Sequence, residues 1–230
     1  MPPRRLRAAL IFDLDDTLHR GRRFVISGFA AVAACAPARW GLTCEHLLRL
    51  LLDAVRRGRV AVAFQGACAA AGLPLRCADE MLEVYRAHTP RLKLPRESAR
   101  CLTACRARWP TGILTNGHPV VQRGKIAALG LAPLVDAVVY AHAVADQGKP
   151  DPHVFDAMVE ALDSDPACTI MVGNDRHTDI WGALNAGLRA VWLAREAAQW
   201  EDDWPRAARI SRLAELPAVA EKMLGTALSQ

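Results

Sequence analysis

The chain has 230 residues, 52% of them hydrophobic and 23% charged, with a formal charge of +5 at pH 7, a balance that excludes a disordered chain or a repeat array. No apolar stretch reaches the roughly 18 residues a membrane helix needs, and the basic excess comes without a helix-turn-helix pattern, zinc-finger spacing or an aromatic-interleaved strip. Small anionic molecules are therefore the expected partners, with no nucleic acid and no membrane.

In chain order, the run Ala8 to Phe12 predicts a strand buried on both faces of a parallel sheet. With no cleavable signal ahead of it, the expected location is the cytoplasm. The run ends in Asp13, Asp15 and Asp16. Asp13 and Asp15 share one side of the strand end because side chains alternate with a period of two. Two carboxylates so placed repel unless a cation or a shared proton lies between them, and a divalent metal is the simplest resolution. Ligands gather outside the carboxyl ends of strands in open α/β sheets, so this stretch is a candidate active site.

From Thr17 to Leu94 strands are absent and the periodicity is helical: Leu47, Leu50, Leu51 and Val55 stripe one face, residues 60–71 and 81–88 behave similarly, and Gly41, Gly58 and Gly72 supply breaks. An all-helical insertion is expected there, placed as a lid over the mouth of the site. His19, Arg20, Arg22 and Arg23 at its start form a solvated basic face in the plainer reading and a substrate-greeting cluster in the sharper one.

From about Pro95, strand-like runs at 111–115, 135–140, 169–173 and 189–193 alternate with helical stretches at 96–108, 120–129, 152–162 and 177–186. Pro152 suits a first helical turn, and Gly130 and Gly187 suit C-terminal stops. The alternation predicts an α/β fold: a Rossmann-like parallel sheet of five strands in a three-layer α/β/α core, made of residues 1–16 and 95–230, with residues 17–94 as an inserted helical cap. Seven cysteines, odd in number and without a Cys-x-x-Cys pair, argue against a disulfide framework or structural zinc. Trp181, Trp192, Trp200 and Trp204 are expected to pack or to lie at the surface.

Three motifs join the acidic strand end. Thr115-Asn116-Gly117, Lys149-Pro150-Asp151 and Asn174-Asp175-Arg176-His177-Thr178-Asp179 all follow strand-like runs or turns. Together they supply a hydroxyl, backbone donors, a cation and further carboxylates, which is what phosphoryl transfer through a metal requires. His118, His153 and His177 lie near strand ends without metal-ligand spacing, and none is assigned to a metal.

Asp13-Leu-Asp15-Asp-Thr17, Thr115, Lys149 and the stretch from Asn174 to Asp179, in this order, resemble the four motifs of the haloacid dehalogenase (HAD) superfamily of hydrolases, in the phosphatase branch whose helical cap follows the first motif. The resemblance covers essentially the whole chain. It implies Asp13 as nucleophile, Asp15 as acid and base, Thr115, Asn116, Gly117 and Lys149 as phosphate-binding groups, and Mg²⁺ as cofactor. The metal would take an oxygen of Asp13, the carbonyl of Asp15 and a fourth-motif side chain. Register favours Asn174 for that last place and charge favours Asp175 or Asp179, while Asp175 is equally suited to capping the helix behind it. The implied activity is hydrolysis of a small phosphorylated metabolite, a sugar phosphate or nucleotide. A haloacid dehalogenase, a phosphomutase and a catalytically weakened binding protein are the alternatives. A halide needs no proton on leaving, so Asp15 favours the phosphatase over the dehalogenase. Neither the physiological substrate nor the oligomeric state is legible in the chain.

Overall fold

A computed structural model of the chain describes residues 6–195 and 204–228, so residues 1–5 and Trp200 lie outside it. It divides into two compact units, one formed by residues 1–20 and 93–230 and the other by Gly21–Leu92.

The first unit is built on a six-stranded sheet whose paired strands all run parallel: β1 (Ala9–Phe12), β2 (Thr111–Thr115), β3 (Ala137–Tyr140), β4 (Thr169–Gly173), β5 (Arg189–Leu193) and β6 (Ala207–Ile210). Their spatial order is β3-β2-β1-β4-β5-β6, so the direction of winding reverses at β1. In such sheets the crevice at the reversal, beyond the carboxyl ends of the strands, is where ligands sit. β1, β2 and β4 are buried along their whole length, which is why their centres read as apolar runs rather than alternating ones.

The expected five strands become six. The additional one, Ala-Ala-Arg-Ile, pairs with β5 at the sheet edge and is partly exposed; so short and mixed a run carries no strong strand signal. β3 is shorter than expected because the Asp136 amide donates to Thr111 O and its carboxylate accepts from the Thr111 amide, which makes residues 135 and 136 a lead-in to the strand.

Helices α5 (Arg96–Arg106), α6 (Pro119–Leu129) and α8 (Pro152–Ala161) occupy the expected stretches. Proline opens α6 and α8, where no intrahelical N–H is lost. Gly130 closes α6 with φ +63. A short helical turn, α7 (Ala141–Val144), precedes α8. Helix α8 buries Val154, Phe155, Met158 and Val159 against a core that includes Ile11, Leu114 and Met171, and each fully buried side chain of this size contributes roughly 1.5–3 kcal/mol. A Cβ at Gly112 would come within 2.5 Å of Met158 Sδ, so the glycine is what lets this layer close. The expected helix at 177–186 differs: residues Arg176–Trp181 form a π-helical turn, followed by α9 (Gly182–Asn185). Helix α10 (Leu216–Leu228) ends the unit.

The second unit is all helical: α1 (Gly21–Trp40), α2 (Cys44–Arg56), α3 (Ala63–Ala71) and α4 (Arg76–Ala87). The predicted stripe on α2 buries Leu47 and Leu51 in a core with Phe29, Val32, Trp40, Phe64 and Met81. Thr43 caps α2 by accepting the His46 amide at 3.2 Å, and Trp40 donates to Glu80 at 2.9 Å. Gly41, Gly58 and Gly72 carry positive φ at the breaks between these helices. All seven cysteines are free thiols. Among the described residues no helix is long and apolar enough to cross a membrane.

Candidate active site

The Asp13 amide donates to Val172 O at 2.9 Å, extending the β1–β4 ladder one residue past the strand and fixing where the Asp13 side chain begins. Leu14 is fully buried. Behind it the chain turns sharply: Asp16 takes the left-handed conformation with φ +59, and its amide donates to His19 O at 2.7 Å. Asp16 is exposed. Thr17 is buried and donates its hydroxyl to Asn174 Oδ1 at 3.1 Å, tying the first motif to the fourth.

Lys149 is the hub. Its Nζ donates to Asp13 Oδ1 at 2.8 Å, Asp179 Oδ1 at 2.7 Å and Leu114 O at 3.0 Å, and the ammonium is 1% exposed. Burial pushes Asp13 up to about 7, with Asp179 adding to the rise and Lys149 opposing it. Burial pushes Lys149 down, but the two carboxylates more than compensate and hold it above the ordinary lysine range. The two directions agree once the charges are counted: one ammonium serves two carboxylates, so it stays charged while Asp13 is under-neutralised.

Asp15 is held separately. Lys125 Nζ lies 2.8 Å from its Oδ1 and 2.7 Å from its Oδ2, and Gln122 Nε2 donates to Oδ2 at 3.0 Å. His19 is buried with Nε2 3.0 Å from Asp15 Oδ1, an ion-pair distance without the alignment of a hydrogen bond. Burial pushes the Asp15 carboxyl up, but His19, Lys125 and Gln122 together hold it well below the usual carboxylate range. So held, Asp15 favours its ionised form, and an acid role calls for a change in its surroundings that raises its proton affinity.

Thr115 ends β2 fully buried, with its Oγ1 accepting from Gln122 Nε2 at 2.5 Å. Asn116 bridges to the third motif, accepting the Lys149 amide at 2.8 Å and donating to Lys149 O at 3.0 Å. The Gly117 amide, an expected phosphate donor, is donated to His142 Nδ1 at 3.0 Å. Asp175 is exposed and caps the π-helical turn, its Oδ1 accepting from His177 and Thr178 amides at 2.9 and 2.7 Å. Those amides outweigh its burial and lower its pKa. Asp179 is 1% exposed and accepts the Asp175 amide on Oδ2 at 3.0 Å. A Cβ on Gly173 would lie 2.2 Å from that oxygen, so the end of β4 must be glycine for Asp179 to fold inward.

Thus Asp13, Lys149 and Asp179 form one cluster, Asp15 and Thr115 a second joined by Gln122, and Asn174 sits on the first-motif loop. Asp175 serves as a helix cap. His118 is exposed, His153 pairs with Asp151, and His177 stacks on exposed Trp181. Trp192 is buried and donates to Asn174 O at 2.9 Å, and Trp204 packs against the core. Arg22 and Arg23 are exposed on the first turn of α1. Gln122 and Lys125 are absent from the expected site. The sequence signal for them is the inward stripe of α6, where Ile126 and Leu129 extended back by helical spacing reach Lys125 and Gln122, two polar residues on an apolar face.

A family model described as haloacid dehalogenase-like hydrolase matches residues 8–187. A phosphoserine phosphatase of Thermus thermophilus is 37% identical over 55% of the chain, which spans 50% of that protein's length. A glyceraldehyde 3-phosphate phosphatase of Methanothermobacter thermautotrophicus is 26% identical over 85% of the chain and 89% of its own length. Among solved structures, a 2-haloacid dehalogenase of Pseudomonas syringae superposes with a TM-score of 0.67 at 25% identity, covering 94% of this chain and 99% of that one.

Proposed function

The chain belongs to the haloacid dehalogenase-like hydrolases, and from that membership we propose that it is a Mg²⁺-dependent phosphatase of a small phosphomonoester, working through an aspartyl-phosphate on Asp13. The observation that carries this reading is Asp15: a second carboxylate, two residues from the nucleophile and oriented by Lys125 and Gln122, is what an alkoxide leaving group needs and a halide does not. The relatives named as phosphatases support it.

The donor set fits a hard cation. Asp13 and Asp179 share a single ammonium, leaving that cluster with an excess negative charge, and the surrounding donors are oxygens. Among the described residues no three His, Cys, Asp or Glu side chains are grouped to hold a metal, so the shell would combine the Asp13 carboxylate with the Asp15 carbonyl, Asn174 Oδ1 or Asp179, and waters. When bound, Mg²⁺ would screen the phosphate charge and polarise a phosphoryl oxygen.

The remaining work falls to the chain. A carboxylate oxygen of Asp13 attacks phosphorus as the bond to the leaving oxygen breaks, and that oxygen takes its proton from Asp15. Arrival of a phosphate anion raises the proton affinity of Asp15, in the direction that its acid role needs. Thr115 and Asn116 orient the phosphoryl oxygens. The Gly117 amide joins them on leaving His142, and Lys149 holds Asp13 in line.

The test is phosphate release from a broad panel of phosphomonoesters with Mg²⁺. Turnover that disappears in Asp13→Asn supports the reading; no turnover across the panel, or turnover untouched by that substitution, overturns it.

A further inference from the structure

The face that α6 turns to the sheet carries two buried polar residues that none of the four motifs contains. Gln122 is 1% and Lys125 7% exposed. A buried ammonium is costly unless paired, and a buried amide unless hydrogen-bonded, so their partners explain why they are there. Lys125 contacts both oxygens of Asp15, at 2.8 and 2.7 Å. Gln122 uses one amide nitrogen twice, donating to Asp15 Oδ2 at 3.0 Å and to Thr115 Oγ1 at 2.5 Å. The Asp15 carboxylate is thereby fixed in rotation by a two-point contact and in position by a bridge to the residue that ends β2.

We propose that Lys125 and Gln122 are positioning residues that aim the Asp15 carboxylate for the proton transfers of phosphate ester hydrolysis. This deepens the phosphatase reading and rests on it. In the second half of the reaction a water O–H bond breaks, its oxygen bonds to phosphorus, the P–O bond to Asp13 breaks with its electron pair returning to the Asp13 carboxylate, and the proton goes to Asp15. Every substrate passes through that step. The first half needs the Asp15 proton only when the leaving oxygen is a poor one; p-nitrophenolate leaves without it. A loosely held Asp15 therefore slows dephosphorylation while leaving phosphorylation by an activated aryl ester nearly intact, and the phosphorylated chain accumulates.

The experiment follows p-nitrophenyl phosphate turnover by the full chain with Mg²⁺ in wild type, Lys125→Met, Gln122→Met and, as control, Asp13→Asn. Expected for both clamp variants is a nitrophenolate burst approaching one per folded chain and a steady rate at least tenfold below wild type. A larger phosphorylated fraction than in wild type is expected by intact mass after acid quench. Misfolding lowers burst and steady rate by the same factor and cannot imitate this split, and Gln122→Met carries the test if the loss of a buried lysine prevents folding. A fall in steady rate with no gain of phosphorylated chain, a change in KM alone, or no change overturns the proposal while leaving the phosphatase reading standing. Wild type that hydrolyses no phosphomonoester overturns both.

Discussion

Replacing Lys149 with methionine removes one charge from a buried cluster of three. The ammonium donates to Asp13, Asp179 and Leu114 O, so Lys149→Met leaves two buried carboxylates facing each other and a carbonyl without its donor. Removing one partner of a buried ion pair costs about 3–5 kcal/mol, and the position within that range depends on pH. Asp13 is already raised from 3.8 to about 7 in the folded chain. A carboxyl that binds its proton more tightly folded than unfolded makes the fold less stable as pH rises between those two values. Without Lys149 the shift is larger, so the deficit relative to wild type widens from pH 5 to pH 8. The suitable assay is native-state hydrogen exchange at the β1 and β4 amides against urea, in chelator, at both pH values. A deficit below about 1 kcal/mol, or one equal at the two pH values, would refute the reasoning. Activity should fall in parallel by about 10²–10³, as when one transition-state hydrogen-bond donor is lost.

Two further outcomes follow from the fourth motif. Gly173→Ala places a Cβ 2.2 Å from Asp179 Oδ2, and Asp179 is held on both oxygens, so overpacking of roughly 1–3 kcal/mol and a severe loss of turnover are expected; a fully active variant would sink the argument. Asp175→Ala should lose a helix cap worth about 1 kcal/mol in thermal stability while keeping the Mg²⁺ requirement, whereas Asn174→Ala should raise the Mg²⁺ concentration needed for half-maximal phosphate release. The opposite pattern would make Asp175 the ligand.

Much of the sheet was legible because a strand covered on both faces must be largely apolar, and Ala9 to Phe12, with the Gly-Ile-Leu and Ile-Met-Val centres of Thr111 to Thr115 and Thr169 to Gly173, meets that demand. Edge strand β6 was not, because Ala-Ala-Arg-Ile is only partly buried. The π-helical turn at 176–181 was equally hidden, since the same residues suit an α-helix and Asp175 would cap either. In the candidate site, Asp13 and Lys149 meet because the segment leading to α8 brings the Lys149 ammonium to Leu114 O in β2 and to the carboxylate that follows β1. Gln122 and Lys125 announce themselves only as polar residues on a buried helical stripe, a pattern whose meaning appears when Asp15 is found against them. The charge state of Asp15 was also beyond the sequence, because it is set by His19, Lys125 and Gln122 converging from separate parts of the chain.

Asp13, Asp15, Thr115, Lys149, Asn174 and Asp179 all belong to the unit formed by residues 1–20 and 93–230, and the helical unit interrupts the chain soon after Asp13. Each unit has its own hydrophobic core. Residues 21–92 can therefore diverge without disturbing the ladders that seat the reacting groups. In hereditary terms the two parts are separable: one can be passed on intact while the other is rewritten.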